Sequence, residues 1–135
     1  MEKAPLAHLP WDDHLITGQA ELDLDNKTLV ALLNDLITGI ERHVSFQTLQ
    51  RMLAALQLHF LNHLQREEVM MRNCVAPGME EHIAKHRLAA TQIAIAMEIP
   101  NYTDRGQRVA TLMRAWILDH IQDDFTLART ISICR

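Results

Sequence analysis

Apolar residues recur along most of this chain at three- and four-residue steps, the spacing that lines one face of an α-helix. The first stripe holds Leu24, Leu29, Leu32, Leu33, Leu36, Ile37 and Ile40 and predicts a helix over about 21–42, with Asp23 as its cap. The second, through Leu49, Met52, Leu53, Leu56, Phe60, Leu64 and Met71, predicts a helix over about 45–72 with Ser45 as N-cap. Asn73 to Gly78 break the stripe, and Pro77-Gly78 signals a turn. A third helix, over about 79–97, carries Ile83, Leu88, Ile93 and Met97 and stops at Pro100. A fourth, over about 104–133, is capped by Thr103 or Asp104 and carries Val109, Leu112, Met113, Trp116, Ile117, Ile121 and Leu127. Residues 1–20, with two prolines, Gly18 and Trp11, lack a period and read as an ordered arm laid against the helices. Four helices with short connections pack as an all-α, up-down-up-down four-helix bundle.

Composition fits that picture. The chain has 135 residues, the size of one domain, with 48% hydrophobic and 22% charged residues and only 4% aromatic. A net charge of −4 gives no basic face for nucleic acid. No apolar run is long enough to span a membrane. The first residues, Met1-Glu2-Lys3-Ala4-Pro5, lack the pattern of a secretory signal, which points to the cytoplasm. Cys74 and Cys134 lie far apart without a CxxC spacing and are expected to be reduced, inert thiols.

The eight histidines change the picture more. Three helices each carry a ligand-type pair at i, i+4: His63 with Glu67, His82 with His86, and His120 with Asp124. Residues so spaced lie one above the other on a helix face, about 6 Å apart along the axis. The first and third pairs fall within the apolar stripes. Buried imidazoles and carboxylates need a compensating charge, and a metal dication supplies one. Four imidazoles and two carboxylates exceed the four ligands of a tetrahedral zinc. They suit two octahedral ions bridged by carboxylates, and the absence of soft donors favours iron. The plainer alternatives are a solvated His82/His86 face, near Glu80, Glu81, Lys85 and Arg87, and a bundle with no metal. One such pair is weak evidence; three on three helices are hard to reconcile with coincidence.

The sequence resembles the bacterial hemerythrins, the HHE-type di-iron domains, over nearly its whole length. The resemblance rests on Trp11 and the stretch Gly18 to Asp23, on His63-Leu64-Gln65-Arg66-Glu67-Glu68-Val69-Met70-Met71, on Pro77 followed by His82-Ile83-Ala84-Lys85-His86, and on Trp116-Ile117-Leu118-Asp119-His120-Ile121. It implies a single hemerythrin-like domain over 1–135 with two iron ions bridged by carboxylates and an oxo or hydroxo group. It further implies that His82, His86 and His120 bind one iron and His63 the other, that Glu67 and an aspartate of the fourth helix bridge them, and that Trp116 and Ile117 line an apolar pocket for dioxygen.

Two positions depart from the family's pattern. The first-helix motif D-x-x-H-K reads Asp23-Leu24-Asp25-Asn26-Lys27 here, so Asn26 replaces a ligand histidine. Asn26 could bind through its amide oxygen, hydrogen-bond a bound water or leave the site open. Asp25 points about 100° away around the helix. His59, one turn before His63, is a candidate replacement ligand, with a packing or supporting role the favoured reading. The family's bridging aspartate follows its histidine by five residues, where this chain has Phe125. Asp124 is the chosen bridge and Asp123 the fallback. His8, His14 and His43 are expected at the surface.

These features favour an oxygen- or redox-responsive binding domain over an enzyme, with dioxygen or small anions at the di-iron site and a signalling output domain as its partner. A stand-alone oxygen carrier or iron-handling protein, and a di-iron enzyme acting on peroxide or NO, are the alternatives. The Glu-x-x-His pair of ferritin-type oxidases is absent from the ligand pattern.

Overall fold

A computed structural model describes residues 6–134, so Met1 to Pro5 and Arg135 lie outside the described residues, as does the part of the expected arm that falls on residues 1–5. After one 3-10 turn at Asp13–Leu15, four helices follow: α1 (Ala20–Glu41), α2 (Phe46–Cys74), α3 (Met79–Ala96) and α4 (Tyr102–Ile133). The described residues form an all-α four-helix bundle without strands. α2 and α4 also touch across one diagonal, whereas α1 and α3 hardly meet.

The caps explain where the helices start. Gln19, not Asp23, is the N-cap of α1, its side chain accepting from the Leu22 amide. Asp23 lies inside the helix and reaches back, accepting from the amides of Thr17 and Gly18 and the Thr17 hydroxyl. It fastens the arm to the helix instead of starting it. Ser45 caps α2 as its sequence suggests, accepting from the Thr48 amide at 3.2 Å. Asn101 caps α4, in place of Thr103 or Asp104, by accepting from the Asp104 amide at 2.9 Å. α2 runs through Asn73 to Cys74 and ends at Val75, whose φ of 47° is left-handed. Gly78, at φ 72°, then turns the chain into α3, a conformation that costs glycine little.

The arm is held by the backbone hydrogen bonding that an irregular segment must find somewhere. Asn34 pairs with Leu9 twice, its Oδ1 accepting from the Leu9 amide and its Nδ2 donating to the Leu9 carbonyl, both at 2.8 Å. Arg114 donates to the Ala7 carbonyl. Leu9 enters the core and Trp11 packs against it.

The core comes in two parts. The larger holds Leu29, Leu33, Leu36, Leu53, Leu56, Phe60, Val109, Met113 and Ile117 among others. The smaller, near the C-terminal ends of α2 and α4, holds Leu22, Met71, Ala76, Ile83, Leu127 and Ala128. Along α2 and α4, His63, Glu67, His120 and Asp124 fall where the larger cluster, which reaches Leu64 and Ile121, gives way to the smaller. Two positions of the sequence's apolar stripes face solvent: Leu24 is 67% exposed and Leu88 61% exposed. On α3 the inward contacts are made by Ala89 and Ala96 beside Ile83 and Ile93, small residues that a stripe of large side chains does not reveal.

The cysteines are not free thiols. Cys74, the last residue of α2, and Cys134, just beyond α4, are joined in a disulfide with their Cα atoms 5.6 Å apart. The expectation of two separate thiols treated distance in sequence as distance in space. α2 and α4 run parallel in an up-down-up-down bundle, so their C-terminal ends meet.

Candidate metal centre

α2 points His63 and Glu67 inward from the stripe that carries Phe60 and Leu64. α3 contributes His82 and His86, and α4 His120 and Asp124. All but His82 are buried, and His82 is nearly so. Their donor atoms form two overlapping groups, Glu67–His82–His86–His120 and His63–Glu67–His120–Asp124, each with its donor atoms within 4.8 Å of one another. Glu67 and His120 belong to both.

Glu67 is the hub. Its Oε2 stands 2.6 Å from His63 Nε2 and 2.7 Å from His120 Nε2. Its Oε1 stands 3.0 Å from His82 Nε2 and 3.4 Å from His86 Nε2. Asp124 Oδ1 is 2.9 Å from His120 Nε2. The Nε2 atoms of His63 and His120 face each other at 3.1 Å. Six donors from three helices therefore converge on one small volume.

Without an ion, protons would balance the charge among these side chains. Burial alone would push the His120 imidazolium down, but the Glu67 carboxylate, which accepts its hydrogen bond, and the close Asp124 carboxylate carry it up to about 10. Burial works against charged His63 too, yet its hydrogen bonds to Asp25 and Glu67 leave it raised. Glu67, which burial would raise, is held well below the usual carboxylate range by charged His120, which hydrogen-bonds to it, and by the close imidazoles of His63 and His82. Burial keeps the Asp124 carboxyl raised.

Protons do not satisfy everything. Glu67 Oε1, His82 Nε2, His86 Nε2 and Asp124 Oδ1 are buried without a hydrogen-bond partner, because their close contacts lack hydrogen-bond direction. Orphaned buried polar atoms are costly and call for an explanation. All four belong to the donor groups, and a cation among them would satisfy them together. The donor set, imidazole and carboxylate without thiolate, suits a first-row divalent metal.

Other expected residues take supporting places. Asn26 is buried against the site, and its Nδ2 donates to Asp124 Oδ2 at 2.7 Å. His59 lies outside both groups and contacts the Asp25 carbonyl through Nε2 at 3.2 Å. Asp123 also lies outside them, paired with Lys85 at 3.1 Å. Trp116 stacks on His120 with ring centroids 4.1 Å apart and meets Phe60 edge to face. Ile117 is buried in the larger core cluster. His8, His14 and His43 are exposed.

Three residues missed in the sequence complete the surroundings. Asp25 accepts from His63 Nδ1 at 3.0 Å and is gripped by Arg66 through two hydrogen bonds of 2.7 and 2.8 Å. Burial would raise its carboxyl, but the bonds from His63 and Arg66 hold it down to about 2. Glu68 accepts from His86 Nδ1 at 3.3 Å. A carboxylate behind a histidine fixes which ring nitrogen faces a metal and makes it a better donor. The 100° step from Asn26 does turn Asp25 away from the site's centre, and straight onto α2.

Fold and site together define a helical-bundle protein with a histidine–carboxylate cation centre. The Hemerythrin HHE cation binding domain family model matches residues 17–124, and the chain belongs to that family. It is similar to the bacteriohemerythrin of Pseudomonas paraeruginosa, 24% identical over 120 residues that cover 88% of this chain and 78% of that protein. The bacteriohemerythrins of Pseudomonas aeruginosa strains match with the same identity and coverage. No solved structure matches the chain significantly. Among the described residues no helix is long and apolar enough to cross a membrane.

Proposed function

We propose that this chain is a non-haem di-iron domain that binds dioxygen, responds to redox state and serves as the sensory input of a larger, cytoplasmic signalling protein. In this reading His82, His86 and His120 hold one iron, His63 holds the other, and Glu67 and Asp124 bridge them. Asp25 and Glu68 orient His63 and His86. Two irons so held would supply a two-electron redox couple with room for dioxygen or a small anion. Trp116 and Ile117 would keep the neighbourhood apolar and exclude water.

The observation that carries the sensing reading is Asn26. It stands where the family pattern places a ligand histidine, and its amide nitrogen is committed to Asp124. The His63 side therefore has one strong donor fewer, which favours fast oxidation over stable oxygen storage. The same shortage favours a second reading, a di-iron enzyme acting on peroxide or NO.

Anaerobic loading with ferrous iron, followed by metal analysis and absorption spectroscopy on admitting air, tests the proposal. About two irons per chain and rapid oxidation are expected. No retained iron would overturn it. Slow oxidation in air would favour oxygen carriage, and sustained turnover of peroxide or NO the enzyme.

A further inference from the structure

We propose that Cys74 and Cys134 form a thiol–disulfide redox site, separate from the metal centre, that takes small dithiol reductants and fastens or frees the end of α4. The disulfide joins the last residue of α2 to the residue after α4, across 60 positions of sequence. Both cysteines are half-buried, so a thiolate can approach them. Disulfides formed in a reducing compartment are commonly transient and redox-sensing.

What the disulfide holds is a weakly buttressed part of the fold. Beyond Phe125, the last residue of α4 to pack against the larger cluster, the helix meets the smaller apolar cluster through Leu127, Ala128 and Ile131. Ile133 is exposed, and the Cys134 amide bonds only to the Thr130 and Ile131 carbonyls of the helix's own last turn. Few buried apolar contacts make a segment prone to local opening. The staple opposes that opening by tying residue 134 to α2.

The same segment walls a cavity of about 160 Å³. Met71, Ala76, Leu127 and Thr130 line it, and so does His82, the one histidine of the cluster that is not fully buried. Freeing α4 beyond Asp124 widens the route to His82.

The exchange balances. A dithiol thiolate attacks one cysteine sulfur and forms a mixed disulfide, and its second thiol resolves it. The Cys74–Cys134 bond breaks, the reductant's own disulfide forms, and two electrons and two protons pass to the cysteines.

The test uses the full chain, oxidised and then treated with dithiothreitol. Mass analysis after alkylation should find no modified cysteine before reduction and two after, with the change reversed by oxidised glutathione. Amide hydrogen exchange over residues 127–134 should rise about tenfold or more on reduction, while the amides of α1 and of α2 up to Phe60 stay protected. Cys134→Ser should show the fast exchange without reductant and no response to it. If that variant folds poorly, the reduced wild-type chain gives the same reading. Free thiols after oxidation, disulfide-linked dimers, or unchanged exchange on reduction would overturn the proposal. None of these readouts needs bound iron. A separate arm, faster removal of iron by a chelator from the reduced protein, rests on the di-iron reading and fails with it alone.

Discussion

Asn26 on α1 and Asp124 on α4 are joined by a 2.7 Å hydrogen bond in the buried centre of the bundle, amide donating to carboxylate. The bond engages Asp124 Oδ2 and leaves Oδ1 unpartnered among the histidines. In the proposed reading, an aspartate displaced by one place from the family's spacing is thus aimed by the residue that stands for the family's histidine. The two positions that depart from the family's pattern are in direct contact.

Restoring the imidazole should therefore strengthen metal binding. Asn26→His is expected to slow loss of the second iron to a chelator by about tenfold or more, the scale on which neighbours of a metal site act. Asn26→Ala strands Asp124 Oδ2 and should destabilise the metal-free fold by about 1–3 kcal/mol, measured by urea unfolding. Equal iron retention in Asn26→His and wild type would refute a ligand role for that position.

Asp25→Asn tests the support behind His63. The carboxamide keeps the shape but removes the charge that His63 and Arg66 share. Metal affinity, read by chelator competition, should fall by about 10- to 100-fold with helical content unchanged. Arg66→Met leaves the carboxylate on His63 and should cost less. If the two variants weaken binding equally, the effect comes from the ion pair and not from the histidine.

Much of this was legible in the sequence because a helix fixes what lies on one face. The i, i+4 pairs at 63/67, 82/86 and 120/124 needed only the helical period, and the structure brings all six together. Relations between helices were harder. Asp25 points away from the site when α1 is taken alone; the neighbour it meets is on α2. The Cys74–Cys134 pairing was hidden the same way, although both residues end helices that run parallel. Leu24 and Leu88 fit their stripes by type yet face water, because a period says nothing of which neighbour is absent.

The end of α2 offers a stability test. Val75 sits at φ 47° and is 80% exposed, a left-handed position where a Cβ costs about 1–2 kcal/mol. The Ala76 amide donates to the Met71 carbonyl at 3.0 Å, the reverse-turn bond that usually has glycine inside it. Val75→Gly should raise stability by about 1 kcal/mol, seen as a higher urea midpoint at unchanged slope. A lower midpoint would mean that the valine side chain contributes packing that its exposure does not suggest.

The protons that balance the metal-free site give opposite pH dependences with and without metal. His120 is carried from an ordinary 6.5 up to about 10 in the folded chain. A raised folded value means its contribution to stability is complete below 6.5 and is lost as pH rises through about 10. Asp25 runs the other way. Lowered from 3.8 to about 2, it contributes fully above 3.8 and loses that contribution as pH falls through about 2. The urea midpoint of the metal-free protein should therefore decline as pH is raised from 6.5 towards 10. Metal binding requires the same imidazoles to be deprotonated, so uptake should release protons and tighten over that range. Unfolding curves of metal-free protein and proton release on loading, measured at matched pH, check both slopes. A midpoint that stays flat through this range would mean that Glu67 and Asp124 do not hold a proton on His120.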